Sequence, residues 1–158
     1  MDNKYKYGAG ITLKPTKGFM FRIYGDIYNT PEYLKTDAGV QKDQYSVAVF
    51  AGYNHSRFSL GAEYNRAFNY KFLSGTDVNG YSVYTIVNVA PKMHLFGRFD
   101  LLDATGENTN NVSEGHTIIG GFEYSPIRQV RISPNYQGWK ARNGRRENYL
   151  LLSVECKI

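Results

Sequence analysis

From Lys4 to Lys14 apolar and polar residues alternate one by one. Tyr5, Tyr7, Ala9, Ile11 and Leu13 fall on one face; Lys4, Lys6, Gly8, Gly10, Thr12 and Lys14 fall on the other. A period of two is that of a strand with unlike faces. The pattern recurs over 18–29, 44–54, 57–68, 80–90, 92–102, 115–125, 129–138 and 148–158, giving nine predicted strands. The second sets Phe19, Phe21, Ile23 and Ile27 against Met20, Arg22, Tyr24 and Asp26; the last sets Leu150, Leu152, Val154, Cys156 and Ile158 against Leu151, Ser153, Glu155 and Lys157. About 10 residues at about 3.3 Å each, tilted near 40°, reach a height of about 25 Å. Pro134 is the weakest point, because proline cannot donate to a ladder; demoting 129–138 would leave eight strands.

The connections alternate in length. Those after strands 1, 3, 5 and 7 are short: Pro15-Thr16-Lys17, His55-Ser56, Pro91 and Pro126-Ile127-Arg128. Those after strands 2, 4, 6 and 8 are long and polar, over 30–43, 69–79, 103–114 and 139–147. All long loops then leave from one end, as in barrels with short turns on one side of a membrane and long loops on the other.

On the apolar face, Tyr5, Tyr45, Tyr64, Phe68, Tyr81 and Tyr136 fall near the loop end, and Phe19, Tyr53, Phe58 and Tyr124 near the turn end. Aliphatic residues such as Ile11, Val47, Val49, Leu60, Val83, Ile132 and Leu152 lie between them. Two aromatic levels flanking an aliphatic band are the girdles of a membrane-spanning wall. A dry soluble core gives no reason to move tyrosines to both rims. The expected fold is all-β: an antiparallel, up-and-down transmembrane β-barrel in which 1–158 is a single domain or the C-terminal part of one. Nine strands is an odd number, and a complete single-chain bacterial barrel has an even one. At least one further strand is therefore expected upstream, or copies of the chain associate to supply it.

Composition supports this picture. Apolar residues make up 42%, with 14 Tyr and 9 Phe, yet the mean hydropathy is −0.47. No stretch approaches the roughly 18 apolar residues of a membrane helix. A spanning strand shows lipid only every second residue, so a polar average is compatible with a bilayer. Cys156 stands alone, so no intrachain disulfide can form. Met1-Asp2-Asn3-Lys4 has no apolar leader segment.

Several segments resemble Gram-negative outer-membrane porins. Leu95-Phe96-Gly97-Arg98-Phe99-Asp100 looks like the Gly-Arg-aromatic-Asp strand near their C-termini. Gly120 to Pro126 followed by Val130 to Tyr136 looks like the penultimate hairpin of phosphate-selective-porin-like barrels, including those of Bacteroidota. Leu150–Ile158 is similar to the terminal strand read by the assembly machinery, though it ends in Ile158 where Phe or Trp is usual. The resemblance covers roughly 80–158 and implies a bacterial outer-membrane location and passive diffusion of small polar solutes or ions, with no cofactor and no covalent chemistry.

In such a channel Lys6, Arg22, Asp26, Glu63, Arg98, Asp100, Glu123 and Arg131 line the pore, and Tyr5, Phe19, Tyr45, Tyr53, Phe58, Tyr64, Tyr81, Tyr124 and Tyr136 form the lipid-interface girdle. Charges of both signs cannot sit in a dry core unpaired. Arg22, Arg98, Arg131 and Lys6 facing Asp26, Asp100 and Glu123 across the water path would set up a transverse field. Adding Lys4, Lys14 and Lys157, and Glu63 and Glu155, gives seven cations against five anions on this face, which predicts a mild preference for anions. Neutral ion-pair ladders are the plainer alternative.

The basic run Lys140, Arg142, Arg145, Arg146 is placed to meet the phosphates of membrane lipid, lipopolysaccharide in particular; a solvated hairpin is the plainer reading. The net charge of +5 is otherwise interleaved with acids, and no nucleic-acid motif occurs. Among His55, His94 and His116, only His116 has candidate carboxylates near it, Asp100, Asp103 and Glu114, which would suit a barrel hydrolase. No spacing motif supports catalysis or a metal, and the oxygen-rich 103–111 loop has no EF-hand order. A soluble lipocalin-like ligand-binding barrel is the other alternative.

Overall fold

A computed structural model describes residues 5–31, 34, 41–106, 109 and 112–157. It contains nine strands: β1 (Lys6–Leu13), β2 (Phe19–Tyr28), β3 (Gln44–Asn54), β4 (Phe58–Phe68), β5 (Thr76–Ala90), β6 (Met93–Gly106), β7 (Gly115–Ile127), β8 (Val130–Ala141) and β9 (Arg146–Cys156). A 3₁₀ turn, Tyr70–Phe72, sits between β4 and β5. The strands form one sheet in chain order, each antiparallel to the next. Lys4 and Ile158 lie outside the described residues.

Two expectations about loops change. β5 and β6 pair four residues further than the alternation indicated, through Val78↔Ala104 and Thr76↔Gly106, because Val78 and Ala104 continue the inner face of the hairpin. The connection expected over 139–147 shrinks to 142–145. Asn143-Gly144 is a tight-turn pair, and Gly144 takes a left-handed φ of 92° that favours glycine. β8 forms in spite of Pro134. It pairs with Leu152 of β9, while the ladder to β7 is interrupted between Asn135 and Ile132, where the missing N–H would have donated.

The register fixes the slant of the wall. One row of directly paired residues runs Ile11, Ile23, Val49, Tyr64, Tyr81, Leu101, His116, Lys140, Arg146 from β1 to β9. Its first member lies near the turn end and its last opens β9 at the loop end. The loop-side limit of the apolar belt starts at Tyr5, six residues on the loop side of Ile11, and finishes at Leu150, four residues on the turn side of Arg146. The belt thus drifts ten residues across eight interstrand steps. At about 3.3 Å per residue and about 4.8 Å per step, the slant is about 40°, the strand tilt of a closed barrel.

The curl of the sheet is legible in two alanines of β3, both flanked by strands on either side. Ala51, on the apolar face, is exposed; Ala48, on the polar face, is half-buried. Along the same strand Tyr45, Val47 and Val49 are exposed whereas Ser46 and Phe50 are not. Equal exposure is expected of a flat sheet, so the polar face is the concave one. A soluble barrel with an apolar interior would curl the other way. β1 pairs only with β2 and β9 only with β8 among the described residues, so both outer edges are free. β1 and β9 run in the same direction.

Candidate functional site

Every residue predicted to face the pore lies on the concave side. A single row there reads Thr12, Arg22, Phe50, Glu63, Ser82, Asp100, Thr117, Trp139, Glu147. The charges are paired side by side instead of facing one another across a gap, which corrects the transverse-field expectation. Lys6 Nζ is 3.2 Å from Asp26 Oδ2. Arg98 Nε donates to Asp100 at 2.9 Å, two residues along the same strand, and Ser82 donates to the same carboxylate. Arg131 lies 3.8 Å from Glu123 and 3.5 Å from Glu155, and Lys157 lies 3.6 Å from Glu155, forming a four-member chain. Each follows from register: Arg98–Asp100 and Glu155–Lys157 are two residues apart along the chain, Arg131 stands directly opposite Glu155, and Lys6–Asp26 and Glu123–Arg131 meet diagonally across neighbouring strands. Arg22 has no ion-pair partner among the described residues, and Glu63 accepts a hydrogen bond only from Asn65 there, at 3.2 Å.

Near the loop end this face is covered. Thr30 donates through both its N–H and its hydroxyl to Asp43, and Asn69 Nδ2 donates to the Asp43 carbonyl at 2.9 Å. The Lys42 N–H reaches Phe72 O, and the Phe72 ring meets Tyr28 edge-on at 5.0 Å. These bonds knit the β2–β3 and β4–β5 connections together. Beneath or within this knot Thr30, Pro31, Thr76, Val78 and Asp26 are buried, the Asp26 side chain being only 3% exposed. Asp26 Oδ1 has no hydrogen-bond partner among the described residues, where Lys6 is the group that compensates this carboxylate. The alternation did not reveal the knot, although the polar side chains of Asp43 and Asn69 beside strand ends are the usual signal of such ties.

Mid-wall, the concave side carries aromatic rings. Phe50 and Tyr84 stack at 6.3 Å, and Tyr84 lies over Gly61, where a Cβ would come within 2.4 Å of the ring. Beside it Ile86, His94, Phe96, Arg98, Glu123 and Arg131 bound a hollow of about 530 Å³.

The predicted girdle residues all stand on the convex face. Phe19 and Tyr53 meet at 4.5 Å, and Tyr53 and Phe58 at 5.9 Å, at the turn end; Tyr64 and Tyr81 meet at 5.1 Å toward the loop end. Tyr5, Tyr45, Tyr124 and Tyr136 are exposed. Above Tyr64, Arg66 lies 4.6 Å over the Phe68 ring and bonds Asp77 at 2.7 Å, closing the belt with a charged edge.

The basic hairpin divides. Arg142 bonds Asp103 at 3.2 Å and Glu114 at 2.9 Å, and Arg145 bonds Glu147 at 2.6 Å. The hydrogen bond from the Ala104 N–H, with Arg142 beside it, holds the Glu114 carboxyl below the usual glutamate range. Lys140 and Arg146 keep to the convex face. The hydrolase constellation does not assemble: Asp100 is on the opposite face from His116, Asp103 and Glu114 are held by Arg142, and His116 stacks on Phe99 at 5.8 Å. His94 is tied to Asn88 at 2.7 Å, and His55 Nδ1 accepts the Arg57 N–H within its turn. No cluster of three or more metal-ligating side chains occurs among the described residues, and no described helix is long and apolar enough to cross a membrane.

An antiparallel up-and-down wall, greasy and aromatic-rimmed outside and charged within, is the architecture of membrane-spanning β-barrels. The solved outer membrane channel DcaP of Acinetobacter baumannii has this fold: it superposes on 94% of this chain with a TM-score of 0.72, at 12% sequence identity. The chain spans 49% of that channel's length. No family model matches the sequence, and no curated protein does.

Proposed function

We propose that the chain forms about half of the wall of an outer-membrane channel through which small polar solutes or ions diffuse passively. The carrying observation is the pairing of opposite properties across one sheet: a slanted apolar belt on the convex face, and Arg22 with a set of ion pairs on the concave one. Lys6, Arg22, Asp26, Glu63, Arg98, Asp100, Glu123 and Arg131 line the water path, and the aromatic girdles sit at the two interfaces. Unpaired edges are not tolerated in hydrocarbon. Because β1 and β9 run the same way, an odd number of further strands closes the barrel. Two copies oriented alike would meet in parallel seams, so further antiparallel strands of a longer chain suit the edges better.

A mild anion preference is the finer reading, within a phosphate-selective-porin-like type. Arg22 faces the path with no counter-ion among the described residues, and the turns carry Lys14, Lys17, Arg57, Lys92 and Arg128 with no acidic residue among them. Planar-bilayer recordings of the complete protein test both statements. Stepwise conductance with a reversal potential on the anion side is expected; absence of conductance contradicts the channel, and a cation-side potential contradicts the preference.

A further inference from the structure

Lys140 and Arg146 stand directly opposite each other across the β8–β9 ladder, on the convex face, and His116 stands opposite Lys140 on β7. Like charges in opposed positions repel. Neither Lys140 nor Arg146 has an ion-pair partner among the described residues, although acids stand close by. Asp103 and Glu114 are taken by Arg142, and Glu147 by Arg145. Half of the hairpin's cations are therefore neutralised within the protein, and half are left pointing outward at the loop-side edge of the apolar belt.

The surface below them is shaped. Gly138 contributes no side chain, so the Tyr136 ring leans across it and its hydroxyl donates to Asn148 Oδ1 at 2.7 Å. The result is a hollow of about 300 Å³ bounded by His116, Tyr136, Lys140, Arg146 and Asn148. Turnward of it the wall is apolar, with Leu150 87% exposed and Leu152 68% exposed.

We propose that this hollow seats the phosphate-bearing headgroup of an anionic glycolipid in the loop-side leaflet. Lys140 and Arg146 hold the phosphate, which relieves their mutual repulsion. Asn148 and the Tyr136 hydroxyl meet sugar hydroxyls, and an acyl chain follows Leu150 and Leu152. The cations lie on the belt side and not in the water path, which favours a lipid over a free anion. The proposal rests on the convex face meeting lipid.

The test uses the complete protein in nanodiscs of phosphatidylcholine, with and without a minor fraction of diphosphorylated lipid A, and counts retained lipid by native mass spectrometry. The wild type is expected to retain the phosphorylated lipid, and excess inorganic phosphate is expected not to displace it. Lys140→Gln with Arg146→Gln should lower retention roughly five-fold per charge, about 30-fold together. Arg142→Gln with Arg145→Gln should retain it as the wild type does, each variant being checked for native heat-modifiable mobility in SDS. Full retention by the Lys140/Arg146 variant, equal retention of dephosphorylated lipid, or displacement by inorganic phosphate would overturn the seat. Single-channel recordings separate the two claims: a conducting barrel with unselective lipid retention sinks only the seat, whereas a barrel that never conducts sinks the channel reading.

Discussion

Ile11 and Arg146 belong to one row of paired residues, yet Ile11 lies two residues from the turn end of β1 and Arg146 opens β9 at the loop end. Only a strongly slanted sheet lets a level belt of apolar side chains cross such a row. Belt residues are therefore defined by height and face together, and neighbours in sequence differ sharply. Val49→Arg, at mid-belt, should cost about 2–4 kcal/mol of folding stability in lipid vesicles. Ala48→Arg, one residue away on the concave face, should cost less than about 1 kcal/mol. Urea unfolding of the reconstituted protein measures both.

The tight approach of Tyr84 to Gly61 gives a second expectation. Gly61→Leu forces the Tyr84 ring away from the wall and from Phe50, a strain of about 1–3 kcal/mol. Adding Tyr84→Ala frees the space, so the double variant should recover part of the loss. Additive losses would show that the two positions do not touch.

Glu114 links pH to the order of the hairpin tip. Its carboxyl is held below the usual range by the Ala104 N–H and by Arg142, so this contribution is complete above the ordinary glutamate pKa and disappears as pH falls through the lowered value. A spin label at Asn143 should stay restricted at neutral pH and loosen only on acidification below the usual carboxylate range. In Glu114→Gln it should be looser already at neutral pH, with no acid transition of this origin.

Arg22 is a mid-strand cation of the concave face with no ion-pair partner among the described residues. Arg22→Gln should move the reversal potential in a salt gradient toward cations, whereas Arg98→Gln with Asp100→Asn, which removes a balanced pair, should move it less. Equal shifts would show that the pairs do not screen one another.

The strands and their faces were legible because a wall that is wet on one side and greasy on the other writes period two into the chain. β3 runs over 44–54 as the alternation predicts, and the residues predicted for the pore and those predicted for the girdle lie on opposite faces of the sheet. Pairing was not legible. Which of Arg98, Arg131 and Lys6 meets which acid depends on register, and register depends on turn lengths that period two does not carry. The Asn143-Gly144 pair did encode the tight tip that fixes β8 against β9, but the polar run around it read as loop. The knot of Thr30, Asp43, Asn69 and Phe72 lies where periodicity ends, so side-chain to backbone bonds alone position it.

The central claim is that the convex, tyrosine-rimmed face meets hydrocarbon and the concave face meets water. Single cysteines in a Cys156→Ser background measure it most directly, placed at Val49 and Leu152 on one face and at Ala48 and Ser153 on the other. In vesicles, fluorophores at Val49 and Leu152 should be quenched by brominated acyl chains and resist a membrane-impermeant maleimide, while Ala48 and Ser153 should react with the maleimide and escape the quencher. The reverse assignment, or equal maleimide reactivity at all four sites, would contradict the account.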